Sequence, residues 1–188
     1  MYENLFSLDG RVALITGASR GIGRAVARGL AEAGADVVMT ARSEKDLELA
    51  ADEIRAAVTG RVEYYPVDML DRADVDELSK AVLRDFGAVD VLINNAGANH
   101  PQTLVETTDT NWDAMIELNL TSQMRLTRAL APQMVARGWG RVIYTSSIMA
   151  FASNHARGIY SATKAGLVGM MRAQTLELGP AGVTVNCL

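Results

Sequence analysis

The chain has 188 residues, of which 49% are hydrophobic, and this length and apolar content suit one globular domain with a full core. Its 18 basic and 22 acidic side chains give a net charge of -4 and form no basic block. The chain therefore lacks the basic surface typical of proteins that bind nucleic acids or anionic membranes, and a small-molecule partner is expected.

Signals for a membrane, a secretory route or a metal site are also missing from the sequence. No apolar run approaches membrane-spanning length, and residues 1–7 carry no basic region before a long apolar segment. The single cysteine, Cys187, has no partner for an internal disulfide and is expected to be a small buried side chain in a reducing compartment. The acidic residues 68–77 have Ala73 where a calcium loop needs glycine. We therefore predict a cytoplasmic protein without a metal site.

Short β-branched runs alternate along the chain with longer stretches of helical periodicity. The predicted strands are residues 12–16, 36–40, 62–66, 89–93, 141–146 and 183–186. The predicted helices are residues 21–33, 44–58, 71–86, 111–137 and 158–178. The strands are near-continuous apolar runs, as expected where helices cover both faces of a parallel sheet. This order predicts an α/β fold with a doubly wound parallel sheet, a Rossmann-type three-layer sandwich.

No internal repeat, low-complexity tract or linker interrupts this order, so residues 1–188 are predicted to form one domain. Asp71 is expected to cap the third helix. The glycines expected to end helices are Gly34, Gly60, Gly87 and Gly138. The last strand stops at Leu188 without the loop that normally follows its carboxyl end, so the C-terminal part of the fold is expected to be missing.

Three glycines, Gly17, Gly21 and Gly23, connect the first strand to the first helix with the spacing G-x-x-x-G-x-G. Backbone N–H groups and the positive end of a helix dipole meet at such a turn, which suits the pyrophosphate of a dinucleotide. A purely structural turn with the same glycines remains the alternative, because glycine also permits tight turns and close helix packing.

The residues at the end of the second predicted strand indicate whether a dinucleotide site binds NAD(H) or NADP(H). A NAD site usually has an acidic residue there, but Thr40 is followed by Ala41 and Arg42. Arg42 and the loop residue Arg20 could both bind a 2′-phosphate, which favours NADP(H) over NAD(H). The alternative is that both arginines are solvated surface side chains.

Four motifs follow one another in the chain: the glycine loop, Asn94-Asn95-Ala96-Gly97, Ser147, and Tyr160-x-x-x-Lys164. In this order and at these distances the sequence resembles the short-chain dehydrogenase/reductase family over essentially its whole length. It is similar to the 3-oxoacyl-carrier-protein reductase members, and residues 5–10 look like those of gluconate 5-dehydrogenases. The resemblance implies a single NAD(P)-binding Rossmann domain over residues 1–188 that carries both the cofactor and the catalytic residues.

The spacing of Tyr160 and Lys164 places both side chains on one helix face, one turn apart. A nearby cation favours the phenolate, which makes a tyrosine a useful proton donor or acceptor. The resemblance implies that Ser147 orients a substrate carbonyl, that Tyr160 transfers the proton and that Lys164 binds the nicotinamide ribose. It also implies that Asn119 holds a water of the proton relay, whereas the alternative for Asn119 is a helix amide bonded to backbone. Acyl transfer by Ser147 is disfavoured because no histidine lies in a suitable motif.

The remaining contacts implied by the resemblance surround the nucleotide. Asp68 would accept from the adenine amino group or simply belong to the helix entry, and Asn95 would lie beside the cofactor or brace the sheet. The implied cofactor-binding residues are Gly17, Ser19, Arg20, Gly21, Ile22, Gly23, Arg42, Asp68, Met69, Asn95, Gly97, Tyr160 and Lys164.

The function expected from these motifs is hydride transfer between NADP(H) and a carbonyl or secondary alcohol. A non-catalytic or truncated cofactor-binding protein of the same fold is the alternative. The substrate stays open among 3-oxoacyl thioesters, keto-sugar acids and other ketones.

The helix of residues 158–178 is apolar almost all round, so a second partner surface is expected in addition to the sheet. By resemblance that partner is another subunit of a homo-oligomer, commonly a tetramer, and the alternative is a buried helix in a larger monomer.

Overall fold

Six parallel strands form one sheet in the computed structural model, which describes residues 6–188. The strands are β1 (Val12–Thr16), β2 (Asp36–Ala41), β3 (Val62–Pro66), β4 (Val91–Asn94), β5 (Gly140–Tyr144) and β6 (Val183–Cys187). Their order is β3-β2-β1-β4-β5-β6, with every neighbouring pair parallel. This is the predicted doubly wound sheet. The expectations for residues 1–7 and 5–10 fall partly on residues 1–5, which lie outside the described residues.

Helices cover the sheet on both faces. They are α1 (Gly21–Glu32), α2 (Glu44–Arg55), α3 (Arg72–Phe86), α4 (Asp109–Ile116), α5 (Ser122–Arg137) and α6 (Gly158–Leu178). One apolar cluster joins α1 and α2 to the sheet through side chains such as Leu47, and the other joins α3, α5 and α6 through side chains such as Leu126 and Leu167. Burying each of these leucines stabilises the fold by about 1.5–3 kcal/mol. No helix within residues 6–188 is long and apolar enough to cross a membrane.

The starts of three helices are fixed by side chains that accept from free backbone N–H groups. Ser43 caps α2, Asp71 caps α3 as predicted, and Thr108 caps α4. Left-handed glycines close three helices, since Gly34, Gly87 and Gly138 have φ values of 99°, 77° and 68°.

Several element boundaries differ from the predicted ones. Helix α2 ends at Arg55 rather than at residue 58, because the Ala57 N–H donates to the Ile54 carbonyl (2.9 Å) in a turn that replaces the helical repeat. Gly60 lies beyond this end and is not left-handed, so it does not cap α2. Strand β4 begins at Val91 rather than at residue 89, because Asp90 next to it directs its carboxylate to the Val12 N–H (2.9 Å).

The predicted helix of residues 111–137 begins two residues earlier and is not continuous. A π-helical turn, Glu117–Thr121, separates α4 from α5. Such a turn adds one residue to the helical repeat and occurs often at functional sites. Asn119 lies within it and is fully buried. The hydrophobic periodicity did not reveal the turn, since one extra residue disturbs the apolar spacing too little to be seen.

Strand β5 ends at Tyr144, two residues before the predicted end, and strands β5 and β6 are not the continuous buried runs that the sequence suggested. Val183 and Val185 are buried, whereas Thr184 and Asn186 are exposed. Helices α1 and α2 lie over β1 to β3, so one face of this part of the sheet has no helix over it within residues 6–188. Alternating burial is the expected result for a strand covered on one face.

Candidate active site

The predicted site residues gather along the edge where the parallel strands end. The winding of the sheet reverses between β1 and β4, and this switch point is where doubly wound sheets bind ligands. The glycine loop follows β1, Arg42 follows β2, Asp68 follows β3 and Ser147 follows β5. Segments that are up to 130 residues apart in the chain therefore share one edge.

The three glycines of the loop are required for different structural reasons. A Cβ on Gly23 would lie 2.3 Å from the Gly17 carbonyl oxygen, so this glycine lets α1 pack against the end of β1. Gly17 has φ +66°, and its Cβ would lie 3.0 Å from Asn95 Nδ2. Gly21 has φ +55°, and no atom of residues 6–188 lies within 4 Å of a Cβ built on it, so it borders open space in this part of the chain. The loop is thus required by the turn and still leaves room for a ligand.

The start of α1 has the free donors that an anion needs. Arg20 is the N-cap residue and makes no side-chain cap bond, in contrast to the capped starts of α2, α3 and α4. The first N–H groups of a helix have no acceptor within the helix. A pyrophosphate fits this position because it would accept from those groups and lie at the positive end of the helix dipole. Ser19 is half-buried in the loop, and Ile22 is 66% exposed beside it.

Arg20 and Arg42 are exposed, and neither forms an ion pair within residues 6–188. They lie on neighbouring segments, because Thr16 pairs with Thr40 in the β1–β2 register and the Ala18 N–H donates to the Thr40 carbonyl (3.0 Å). Two guanidinium groups without an ion-pair partner among residues 6–188 therefore lie on these neighbouring segments, and Thr40, Ala41 and Arg42 themselves supply no carboxylate.

Asp68 and Met69 follow β3. Asp68 Oδ1 accepts from the Leu70 N–H (3.0 Å), which is the bond expected of a residue at a helix entry. Its second carboxylate oxygen accepts no bond from a residue within 6–188. Met69 is 3% exposed and packs in the apolar core, so it would contact a cofactor only through its backbone.

Asn95 braces the edge of the sheet. Its Nδ2 donates to the carbonyls of Thr16 (3.0 Å) and Gly17 (3.2 Å), and its Oδ1 accepts from the Thr145 hydroxyl (3.3 Å). The loop after β1 and the end of β5 are therefore held to the segment after β4. Gly97 is exposed two residues further on, and a Cβ there would lie 3.0 Å from Asn119 Oδ1.

Lys164 is 3% exposed, and within residues 6–188 its ammonium group has one acceptor, the Thr145 carbonyl at 2.5 Å. Burial lowers the pKa of Lys164 to about 8, because the charged form loses its hydration. Two of its three protons stay free for a ligand. The half-buried Cys187 lies nearby, and burial raises the pKa of its thiol, with Lys164 opposing that shift.

Tyr160 and Ser147 present free hydroxyl groups. The contacts of Tyr160 use its carbonyl, which accepts from Thr163 (2.8 Å), and its ring, whose centroid lies 5.4 Å from Lys164 Nζ. They leave the phenolic oxygen without a partner among residues 6–188. Ser147 Oγ accepts from the Met149 N–H (3.1 Å), so its own proton remains available to a substrate oxygen.

Asn119 bonds to protein groups through both ends of its side-chain amide. Its Oδ1 accepts from the Ala98 N–H (2.9 Å), and its Nδ2 donates to the Ala98 carbonyl (2.9 Å) and to Thr163 Oγ1 (3.3 Å). Both amide protons are used, so a water could bind the side chain only through Oδ1. The alternative of an amide bonded to backbone therefore describes its geometry.

The sequence profile described as short chain dehydrogenase matches residues 11–188. The chain belongs to the short-chain dehydrogenase family. The 3-oxoacyl-[acyl-carrier-protein] reductase of Escherichia coli is 37% identical over 180 residues, which are 96% of this chain and 72% of the relative. The D-beta-hydroxybutyrate dehydrogenase of Cupriavidus necator is 36% identical over 182 residues, covering 96% and 70%. A metagenomic short-chain oxidoreductase solved in complex with NADP is 39% identical with a TM-score of 0.92, covering 96% and 81%.

Three threonines for which the sequence predicted no role hold this short-chain dehydrogenase site together. Thr16 Oγ1 accepts from the Asn95 N–H (3.0 Å) and the Ala96 N–H (2.9 Å), while Thr145 binds Asn95 and Lys164. Thr163 binds Asn119 and Tyr160. Each threonine lies within two residues of a recognised motif residue, and this adjacency was the available signal.

Proposed function

We propose that this short-chain dehydrogenase is an NADP(H)-dependent oxidoreductase that interconverts a carbonyl compound and the corresponding secondary alcohol. The observation that carries the proposal is the free Tyr160 hydroxyl beside the buried Lys164, at the edge of the sheet where the uncapped α1 begins. These groups suit proton transfer next to an anionic cofactor. The relatives named above support the oxidoreductase class.

The proposed roles follow from the free groups. In reduction, Ser147 donates a hydrogen bond to the carbonyl oxygen, and Tyr160 transfers its phenolic proton to that oxygen as charge develops on it. Lys164 is largely protonated at pH 7, since its pKa is about 8, and its ammonium group lies 5.4 Å from the centroid of the Tyr160 ring. Its two free protons would bind ribose hydroxyls. The nicotinamide, when bound, supplies or accepts the hydride.

NADP(H) is proposed over NAD(H) because of the charges at the end of β2. Arg42 and Arg20 have no ionic partner within residues 6–188, and Thr40 and Ala41 supply no carboxylate for a ribose diol. A guanidinium group binds a 2′-phosphate in bidentate geometry. The NADP bound in the metagenomic oxidoreductase is consistent with this preference.

A non-catalytic cofactor-binding protein is the competing function. Such a protein would need the glycine loop and Arg42 but would gain nothing from a free serine and a free tyrosine hydroxyl beside a buried lysine. Lys164 alone costs stability through burial of its charge. These groups favour an enzyme.

The direct test is Tyr160→Phe in the purified protein. The variant should keep NADPH affinity within about twofold and lose at least about 100-fold in kcat, because general acid–base catalysis contributes roughly 10²–10⁴-fold. NADPH fluorescence measures binding, and NADPH oxidation measures turnover. Turnover within tenfold of the wild type would remove Tyr160 as the proton donor.

The substrate is to be found by NADPH oxidation with β-ketoacyl thioesters, keto-sugar acids, steroids and small ketones. Turnover of any of these carbonyl compounds that also requires Tyr160 supports the enzyme. NADPH binding without turnover of any compound class favours the non-catalytic alternative.

We also propose that the protein is a homo-oligomer, by family resemblance a tetramer. A groove of about 390 Å³ between α5 and α6 is lined mainly by apolar groups, including Met124, Ala131 and Leu178. The outer face of α6 is exposed and, apart from Arg172, consists mostly of small or apolar residues: Ala162, Ala165, Gly169, Ala173 and Leu176. A second copy of the chain would bury this surface. The cytoplasmic location remains a prediction.

A further inference from the structure

Thr163 occupies the helical turn between the two predicted catalytic residues of α6. Its side chain is fully buried, and its hydroxyl makes two hydrogen bonds. It donates to the Tyr160 carbonyl (2.8 Å) and accepts from Asn119 Nδ2 (3.3 Å). A buried threonine that served only packing could be a valine, so the hydroxyl needs its own explanation.

Asn119, which donates to the Thr163 hydroxyl, also bonds to the segment that follows β4. Asn119 uses its other amide proton and its oxygen on the backbone of Ala98, both at 2.9 Å. Ala98 follows the segment after β4, next to Gly97. Asn119 therefore joins this segment on one side and α6 on the other, and Thr163 Oγ1 is its acceptor on α6.

The spacing of these groups leaves little room for movement. A Cβ on Gly97 would lie 3.0 Å from Asn119 Oδ1 and 3.8 Å from Lys164 Nζ. Hydrogen bonds in such a buried place are strengthened by the low local dielectric, and losing one leaves a polar group without a partner. The hydrogen bonds from Ala98 through Asn119 to Thr163 are therefore suited to fixing the position of α6 relative to the segment after β4.

We propose that Thr163 is a positioning residue, whose hydroxyl holds the Tyr160 turn of α6 in register with Asn119 and with the segment after β4. It touches neither substrate nor cofactor. Its effect is to keep the Tyr160 hydroxyl at the reacting oxygen, and a displacement of about 1 Å is enough to cost up to roughly 100-fold in rate. The inference rests on the proposed role of Tyr160.

The test compares Thr163→Val, which keeps the volume but removes the hydroxyl, with Thr163→Ser, which keeps the hydroxyl. Thr163→Val should lower kcat about tenfold or more, while KM for the carbonyl substrate and the Kd for NADPH stay within about twofold. Thr163→Ser should restore at least half of the wild-type kcat. A role in stability alone would not separate kcat from binding in this way.

The matched control is Thr175→Val on the same helix. Thr175 Oγ1 donates to the Val185 carbonyl (3.0 Å), away from the site, so its loss also removes a hydrogen bond between α6 and a neighbour. This control should keep kcat within twofold. An equal loss of kcat in both valine variants, or a Thr163→Ser variant as slow as Thr163→Val, overturns the proposal.

Two further measurements keep the outcomes distinct. If Thr163→Val does not fold, Thr163→Ala is judged by the same criteria once circular dichroism and NADPH binding show that it is native. Tyr160→Phe is assayed beside it. An active Tyr160→Phe variant refutes the proposed function, whereas an inactive one together with an unaffected Thr163→Val variant refutes only the positioning role.

Discussion

Lys164 carries a buried positive charge whose one acceptor in the described part of the chain is the Thr145 carbonyl, and this burial explains the energetic cost of the charge. Burial moves its pKa from 10.5 to about 8, so the charged form is disfavoured by about 3 kcal/mol at about 1.4 kcal/mol per pKa unit. The unfolded chain binds the proton more tightly, so the stability of the fold should rise as the pH increases from about 8 to about 10.5. Below pH 8 the full cost is present.

Lys164→Met should therefore change the pH dependence of stability. The stability difference between the variant and the wild type should shrink by about 2 kcal/mol between pH 7 and pH 9.5, because the wild type loses its buried charge over this range. Urea unfolding of the ligand-free protein measures the difference. Lys80→Met, at an exposed lysine, controls for the loss of a positive charge. A difference that stays constant with pH would contradict the assigned cause.

Arg42 allows a second test at the residue scale. Arg42→Ala should weaken NADPH binding about 10- to 100-fold, since hydrogen bonds to charged groups contribute about 1.5–3 kcal/mol. NADH lacks the 2′-phosphate, so its Kd should change less than twofold and acts as the internal control. Titration of both cofactors by fluorescence measures the two constants, and an equal loss for both would place Arg42 among the ordinary surface residues.

Among the secondary-structure elements, the connection from β1 to α1 shows how one loop can serve both fold and ligand. Gly23 permits the approach of α1 to the Gly17 carbonyl, while Gly21 borders open space. The uncapped start of α1 leaves donors for an anion. The same sequence pattern thus combines a packing requirement with a binding surface, and the two can be separated by substitution.

Gly23→Ala and Gly29→Ala form a matched pair within α1. A Cβ at Gly23 would lie 2.3 Å from backbone, so this variant should be destabilised by about 1–3 kcal/mol and should bind NADPH more weakly. A Cβ at Gly29 meets no atom of the described residues within 4 Å, so Gly29→Ala should stabilise the protein by about 0.5–1 kcal/mol. Urea unfolding gives both values. Similar stabilities for the two variants would show that the loop after β1 moves to accommodate the added methyl group, which would contradict this prediction.

At the scale of the whole molecule, the sheet edge that holds the glycine loop and the groove between α5 and α6 have different surfaces. The edge carries the exposed Arg20 and Arg42, whereas the groove is lined mainly by apolar groups. Helix α6 contributes to both, since it carries Tyr160 and Lys164 on one face and exposed small residues on the other. Assembly through that outer face would therefore stabilise the helix on which the proposed chemistry depends.

Leu176→Arg should dissociate the proposed oligomer, because it places a charge on the apolar outer face of α6, where Leu176 is 79% exposed. Leu49→Arg is the control, since Leu49 is 62% exposed on α2, away from the groove. Sedimentation velocity at micromolar concentration should show a smaller species only for Leu176→Arg. A wild-type protein that sediments as a monomer would remove the oligomer proposal.

The amino-acid sequence by itself determined the strands, most helix starts and the alternation of elements, because apolar periodicity and capping residues such as Asp71 act locally. It also determined the motifs at the strand ends, since parallel strands bring those ends to one edge whatever the details of packing. The family and the doubly wound fold were predictable for this reason. The roles of the site residues remain predictions.

Only the tertiary structure decided which groups bond to which. The π-helical turn appears only in the folded chain. Hydrogen bonds between segments 19 to 44 residues apart connect Asn119 to Ala98 and Thr163, and Lys164 to the Thr145 carbonyl. Such contacts depend on the packing of α6 against the sheet and on burial, which no local pattern encodes. Sequence spacing placed Tyr160 and Lys164 on one face, but the fold alone set the burial that moves the pKa of Lys164 to about 8.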